Sequence, residues 1–399
     1  MRREKSKDNR SLFLILFLLF PKNPLFPLWP FVFSVSSVFV FYKVEIRSIS
    51  RYYAFNISKT MKRRILNAAA PIRICDIGGW TDTWFAGHGT IFNIAVYPYV
   101  EVQIRIANAS ELENRVVISL ENFNERFAVD PKQIIYEKHP LIEAALDVMA
   151  IPDDVSFEVN IFSTAPPGAS TGTSAAVSVA LIGALDSLTS GRLSPHEVAM
   201  LAHSLETEKL GLQCGIQDQL CSAYGGINFI QMHAFPHASV SPVLVPNSIW
   251  WELEQRLAVV YIGTPHSSNE VHKKVIAGMG ENASCDPRLE ELRRLASQAK
   301  NAVYTGDFSL LGETMNRNTD VQRALHKDLV CEKFEEIIDV SGEFGVLGCK
   351  VNGAGGDGGS LTILTNGEAP TKRKLFQELT RRGYDLLHIY LSRYGLRVW

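Results

Sequence analysis

Net charge is nearly missing from this chain: 40 lysines and arginines stand against 42 aspartates and glutamates over 399 residues. A protein that tracks a phosphate backbone carries a basic surplus, so this balance excludes nucleic acid as the main partner and leaves small molecules. Cysteine is also sparse. Cys75, Cys214, Cys221, Cys285, Cys331 and Cys349 are dispersed, without a C-x-x-C pair or zinc-ligand spacing, and no H-E-x-x-H pattern occurs. These absences predict a reducing, cytoplasmic setting and no structural metal. Internal repeats and long linkers are lacking too, while 46% of the residues are apolar, enough for one large or two medium domains.

The first sixty residues run against that picture. A basic start (Arg2, Arg3, Lys5, Lys7, Arg10) precedes the apolar run Leu12 to Phe20, and a second uncharged stretch covers Leu25 to Tyr42. Such a pattern suits a secretory signal or membrane anchor. The first run is too short to span a bilayer, however, and Pro21, Pro24, Pro27 and Pro30 break any continuous helix. The alternative is upstream sequence read in frame, with residues 1–60 outside the fold and the working protein starting at Met61.

From Arg63 the pattern is mixed α and β. Thr90 to Ile106 reads as a strand that bends near Pro98, and Val155 to Phe162 alternates, which together predict an antiparallel or mixed sheet. Helices are expected over Gly172 to Leu188 and Ser194 to Leu210, the second opened by a capping box of Ser194 and Glu197 with Pro195 at its first position and closed by Gly211. Further helices are expected over Ser267 to Met279 and Asp286 to Val303, and strands over Ile227 to Gln231, Arg256 to Ile262, Gly345 to Val351 and Leu361 to Leu364. A division near Asn247 to Trp251 gives domains 61–247 and 248–399.

Three segments carry chemistry. Pro166 to Ala176, PPGASTGTSAA, places small residues and hydroxyls directly before an Ala-rich helix, whose unpaired amides and dipole suit a phosphate. It lacks the G-K-[ST] of a Walker A loop, and a plain turn before a core helix reads equally well. Glu206 to Gln219, ETEKLGLQCGIQDQ, sets Asp218 in the first turn of a helix. There Asp218 is either a dipole partner or a group that deprotonates a substrate hydroxyl, with Glu206 holding Mg2+ in the second case. Val351 to Gly359, VNGAGGDGG, has five glycines in seven residues between two strand-like runs. A dinucleotide loop should open a helix after a first strand; this one comes late and leads into a strand.

In this order, and joined by Ala70 to Asp82 (APIRICDIGGWTD), these segments resemble the motifs of the galactokinase, homoserine kinase, mevalonate kinase and phosphomevalonate kinase (GHMP) superfamily. The resemblance covers Met61 to about Tyr390. The A-P-x-R-I opening and the run Gly215 to Ile230 are most similar to D-glycero-D-manno-heptose 7-phosphate kinase and the fucokinase domain. The resemblance implies an α+β, two-lobed fold with an N-terminal lobe like ribosomal protein S5 domain 2 and a ferredoxin-like C-terminal lobe. It implies an ATP-dependent phosphotransferase with ATP and Mg2+ as cosubstrates, acting on a sugar hydroxyl, the anomeric C1 hydroxyl of a heptose 7-phosphate or related aldose. A homodimer is left open.

Carried over by position, Asp218 takes the base role and Arg73 that of stabilising charge on the transferring phosphoryl group. Asp82, with Gly79, Trp80 and Thr81, takes the substrate side. Glu206 takes Mg2+ together with Thr173 or Ser174. Pro167, Gly168, Ala169, Ser170, Thr171, Gly172, Thr173, Ser174, Gly353, Gly355 and Gly356 fall in the loops that cradle ATP and phosphates. Some positions depart from the family. Gly79 and Trp80 replace a Glu and His of galactokinases, which argues against galactose; Ser170 replaces a glycine; and Asp357 adds a carboxylate near the expected phosphates. Lys273, Lys274, Arg317 and Arg323 are either a pocket for a phosphorylated substrate or a solvated helix face. Two other readings stand beside the sugar kinase: a catalytically silent ATP- and sugar-binding regulator of the same fold, and a kinase of a non-sugar alcohol.

Overall fold

Strand β1 (Ile65–Ile77) reads ILNAAAPIRICDI, and from Ala68 onward every residue in it is buried. Neighbouring strand residues point to opposite faces, so burial without alternation requires cover on both sides. The computed structural model describes residues 65–107, 114–149, 151–189, 192–263, 268–279 and 283–399, without the side chains of 268–270 and 272. The apolar leader and the expected start at Met61 lie outside these residues. Among the described residues no helix is long and apolar enough to cross a membrane.

β1 pairs antiparallel with the long β2 (Gly89–Ala107), which contains the expected strand around Pro98. The hairpin β3 (Val116–Leu120) and β4 (Glu125–Val129) follows, then helix α1 (Pro140–Val148) and strand β5 (Ser156–Ser163). β5 runs antiparallel to β2 and parallel to β3, so the sheet is mixed. Next come α2 (Thr173–Asp186), α3 (Pro195–Ser204), α4 (Gln217–Tyr224) and the hairpin β6 (Ile227–Ala234) and β7 (His237–Pro242). The Ser194–Glu197 capping box forms as the sequence predicts. The helix it opens does not reach Leu210, because Leu205–Lys209 widens into a π turn in which the Leu210 amide donates to the Leu205 carbonyl.

The second half comprises α5 (Asn247–Arg256), β8 (Leu257–Tyr261), α6 (Ser268–Gly278), α7 (Pro287–Thr305), α8 (Phe308–Leu325), α9 (Glu332–Glu343), β9 (Gly348–Val351), β10 (Ser360–Leu364), α10 (Ala369–Arg381) and β11 (Asp385–Leu387). Its four strands form an antiparallel sheet in the order β11-β8-β10-β9. Val260, Phe334, Ile337, Leu361, Ile363, Leu375 and Leu379 form its buried core, where α9 and α10 cover the strands. The chain then returns to the first sheet: β12 (Tyr390–Leu391) pairs with β2, and β13 (Arg397–Val398) with β1. α2 and α4 pack on β1 and β2, as do α7 and α8 on β1, which accounts for the double-sided cover. The expected division at Asn247 to Trp251 falls within α5.

One irregularity positions the site. Ile74 pairs with Ile94 and Ile77 with Phe92, so three steps along β1 match two along β2, and β1 carries one extra residue. Such a bulge re-aims the side chains that follow it. Arg73 and Asp76 are an odd number of positions apart and would face opposite ways on a regular strand. Here both line one cavity. Cys75, inside the bulge, has φ +55, and its amide donates to Asn352 Oδ1 at 3.0 Å. A left-handed conformation costs a β-carbon residue about 1–2 kcal/mol, which this cross-sheet hydrogen bond helps to offset.

Candidate active site

The cavity holds about 350 Å3 and lies where the end of β1, the first turns of α2 and α4, the π turn and the β9–β10 loop converge. Arg73 and Asp218 form its central pair. Arg73 Nε donates to Asp218 Oδ1 at 2.8 Å, Nη2 donates to Oδ2 at 3.1 Å, and Nη1 donates to the Ser170 carbonyl. A two-pronged contact of this kind fixes orientation as well as charge. Burial by itself would lower the Arg73 pKa, but Asp218 and Asp76 outweigh it and hold the guanidinium firmly protonated. Asp218 sits in the first turn of α4, with its side chain 27% exposed toward the cavity.

Behind this pair lies a buried charge network that sequence reading did not find. Asp76 stands 3.9 Å from Arg73 Nη1 and 3.4 Å from Lys350 Nζ. Its two oxygens also accept from the Gly353 amide, at 3.0 and 3.1 Å. Lys350 is fully enclosed on β9; burial pulls its pKa down, opposed by Asp76. Asn352 completes the tie by accepting from the Cys75 amide and the Thr362 hydroxyl, both through Oδ1, and by donating to Ser360 Oγ at 3.0 Å. Asp76 was within the quoted ICDIGG run, and Lys350 just ahead of the glycine loop. The bulge points Asp76 at the loop.

This network changes the reading of VNGAGGDGG. The Gly353 amide is spent on Asp76, the Gly355 amide on Asn352 O at 3.4 Å, and the Gly356 amide on Leu329 O at 3.1 Å. These three donors are committed within the protein, so a phosphate beside Gly353, Gly355 and Gly356 would not be held by their amides. Gly355 is needed for close approach, since a Cβ there would sit 2.1 Å from the Leu329 carbonyl oxygen. Only Gly353 and Ala354 of the loop line the cavity. Asp357 faces solvent, away from it, beside Lys274 and Lys327 in a separate cleft.

The Pro166 to Ala176 segment keeps its donors. Helix geometry leaves the amides of Thr173, Ser174 and Ala175 without an intrahelical acceptor, and Gly172 at the cap has no side chain to occupy them. The loop is held from two sides. Its Thr171 carbonyl accepts from the Arg73 amide at 2.9 Å, its Ala169 carbonyl from Ser360 Oγ at 2.6 Å, and its Pro167 carbonyl from Tyr261 at 3.4 Å. Gly168, Ser170 and Gly172 all have positive φ; for Ser170, at +57, this is the strained setting its replacement of glycine implies. Ser174 and Ala175 line the cavity, whereas Pro167, Gly168, Ala169, Ser170, Thr171, Gly172 and Thr173 are not among its lining residues.

Two further carboxylates face the same space. Asp82 accepts from the Gln217 amide at 3.1 Å; burial, only partly opposed by that bond, pushes its pKa up to about 6. Gly215 makes room for it, because a Cβ at that position would lie 1.9 Å from Asp82 Oδ2. Glu206, in the π turn, accepts from Gln219 Nε2 at 2.8 Å, and burial pushes its pKa up to about 7. π turns are common at functional sites, and this one has no sequence signature comparable to a capping box. Among the described residues Glu206 has no cationic partner, and no cluster of three or more His, Cys, Asp or Glu side chains is arranged to hold a metal.

Arg73, Trp80, Asp82, Ser174, Glu206, Asp218 and Gly353 are thus brought together. Gly79 and Thr81 are not. Thr81 Oγ1 donates to the Gly78 carbonyl at 2.7 Å within its own turn, and Gly79 packs against Asp76. Thr83 lines the cavity in their place. Of the basic candidates, Lys274 pairs with Asp328, Arg317 with Glu291, and Arg323 with Glu335 and Asp320, all outside the cavity; Lys273 is also exposed.

Residues 140–226 match the family model described as GHMP kinases N terminal domain. Over 247 residues the chain is 33% identical to a mevalonate kinase of Thermococcus sibiricus, covering 60% of this chain and 68% of that protein. Over 246 residues it is 24% identical to D-glycero-alpha-D-manno-heptose 7-phosphate kinase of Campylobacter jejuni, covering 61% of this chain and 71% of that protein. A solved Lactococcus lactis galactokinase complexed with galactose superposes with TM-score 0.63 at 18% identity, over 89% of this chain and 99% of that one. The chain belongs to the GHMP kinase family. It is an ATP-dependent phosphotransferase with an alcohol as acceptor.

Two outcomes follow from the buried charges. Asp76→Ala strands the Lys350 ammonium, and urea unfolding should show a loss of about 3–5 kcal/mol; an unchanged midpoint would mean that Lys350 does not depend on Asp76. Because burial favours protonated Glu206, its contribution to stability is complete below its ordinary pKa of 4.5 and is lost as pH rises through about 7. Without nucleotide or metal, Glu206→Gln should therefore flatten the decline in Tm over that interval; an identical pH profile for both proteins would place the titration elsewhere.

Proposed function

We propose that this kinase transfers the γ-phosphoryl group of ATP to a sugar hydroxyl, with Asp218 as the base. The observation that carries the reading is the Arg73–Asp218 pair set against the start of α2, where a Cβ on Gly172 would come within 3.1 Å of the Asp218 carboxyl. The start of α2 and the base thus lie side by side, so a phosphoryl group held at the helix start and an acceptor hydroxyl at Asp218 can meet. The free amides at the start of α2 suit the ATP phosphates. Asp218 takes the proton of the acceptor hydroxyl, the acceptor oxygen forms its bond to the γ-phosphorus, and the bond to the β-phosphate oxygen breaks to release ADP. Arg73 orients Asp218 through its two-pronged contact, and its guanidinium would offset charge on the moving phosphoryl group.

Mg2+ fits the donor set. Glu206 is a buried carboxylate with no cationic partner among the described residues, and Ser174 lines the same cavity with Thr173 next to it in the chain; a hard ion that takes oxygen ligands and completes its shell with phosphates would be held by these groups. When bound it neutralises phosphate charge. Asp82 accepts hydrogen bonds from acceptor hydroxyls, with Trp80 beside it. The sugar reading is supported by the APIRICDIGGWTD opening and by the likeness to the heptose 7-phosphate kinase, and the anomeric C1 hydroxyl is the position it implies. In this reading residues 61–247 and 248–399 are the ribosomal protein S5 domain 2-like and ferredoxin-like lobes, with a small molecule as the partner and a cytoplasmic location. A non-sugar alcohol is the second reading, favoured by the likeness to mevalonate kinase.

Asp218→Asn should lower kcat by about 10²–10⁴-fold, the usual range for loss of a general base, while ATP still raises Tm. An ADP-release assay reads the first and a thermal shift the second. Full turnover in the Asn variant would remove Asp218 from the base role.

A further inference from the structure

We infer that the acceptor is an uncharged polyhydroxy compound, an unphosphorylated sugar, and that the cavity rejects sugar phosphates and hydroxy acids. This rests on the sugar-kinase reading of the same site. Four carboxylates line the cavity, Asp76, Asp82, Glu206 and Asp218, and Arg73 is the one basic side chain among its described lining residues. The Arg73 charge is already matched: Asp218 is bound through two nitrogens and Asp76 lies 3.9 Å away. Lys350 is sealed behind Asp76 and does not line the cavity.

An anionic acceptor group needs a cation, a free helix start or a nest of amides. The helix that starts on the acceptor side is α4, and the Gln217 amide in its first turn already donates to Asp82. The free amides of α2 lie at the phosphate end, beside Ser174, where ATP is placed. Among the described residues no other basic side chain lines the cavity. Between residues 65 and 399, the stretches outside the described residues (108–113, 150, 190–191, 264–267 and 280–282) contain no Lys or Arg. The basic residues first considered for a substrate phosphate are either ion-paired at the surface or exposed away from the cavity.

The same lining suits a neutral polyol. Ionised carboxylates accept hydrogen bonds from hydroxyls, and Gln217 adds both donor and acceptor capacity. Trp80, Leu141 and Leu212 supply apolar surface for the C–H faces of a sugar. A phosphate or carboxylate placed among these acids would face like charge at short range and lose its hydration without replacement. The proteins whose names specify a 7-phosphate or mevalonate act on anions, and the charge complement of this cavity separates the chain from them.

The test is ADP release by the full-length chain with ATP and Mg2+ across two panels. One holds uncharged aldoses: hexoses, deoxyhexoses and an unphosphorylated heptose. The other holds the terminal phosphate esters of the same sugars, together with mevalonate. The expected result is turnover on at least one uncharged sugar, with kcat/KM at least about 100-fold above that of its phosphate ester, the scale set by close like-charge contacts. Turnover confined to phosphate esters overturns the inference and leaves the sugar kinase standing. Turnover confined to mevalonate overturns both and supports the non-sugar alcohol. Absence of ADP formation across both panels overturns the sugar reading and this inference with it.

Discussion

The extra residue in β1 between Ile74 and Ile77 turns Asp76 to the side on which Arg73 already stands. From that point one carboxylate reaches three groups: the guanidinium that holds Asp218, the ammonium of Lys350 on the other sheet, and the Gly353 amide at the start of the glycine loop. The two sheets share no strand pairing across this region. Beside the apolar core that runs through both, buried polar side chains tie them together at the cavity, with Asn352 fastening Cys75 at the bulge itself. In a low-dielectric interior such contacts are directional and costly to leave incomplete, which suits them to holding a geometry.

Electrostatics at the cavity has a second tier. Arg73 and Asp218 nearly cancel, while Asp82 and Glu206 remain as buried acids with pKa values raised toward neutrality by burial. In the proposed function Glu206 serves a cation that accompanies the nucleotide, and Asp82 serves hydroxyl donors. Glu206 is set by a π turn in place of regular helix, and Asp82 by the room that Gly215 leaves beside it.

Much of the local structure was legible in the residues. The Ser194 capping box, the helix after Gly172, the strand pair around the glycine loop and the place of Asp218 in a first helical turn rest on interactions a few residues apart. Glu206 and Asp218 were legible as candidates from their residue types and setting, and Arg73 and Asp82 through the resemblance to the GHMP kinase motifs. Less accessible were the π turn, the exclusion of Thr81 from the cavity and the commitment of the Gly353, Gly355 and Gly356 amides. Each depends on what lies across from the residue. A glycine loop with free amides and one with spent amides have the same sequence pattern.

By itself the sequence determined the class of chemistry: a near-neutral chain with ordered Gly-rich, T-D and D-Q segments has the residue types for phosphoryl transfer to a small alcohol. Tertiary structure alone decided which of them act together. Asp76 and Lys350 lie 274 positions apart, and a single inserted strand residue controls the direction in which Asp76 points. Side-chain direction on a strand alternates with every position, so one bulge reverses it, and no local pattern reports the partner that makes the reversal favourable.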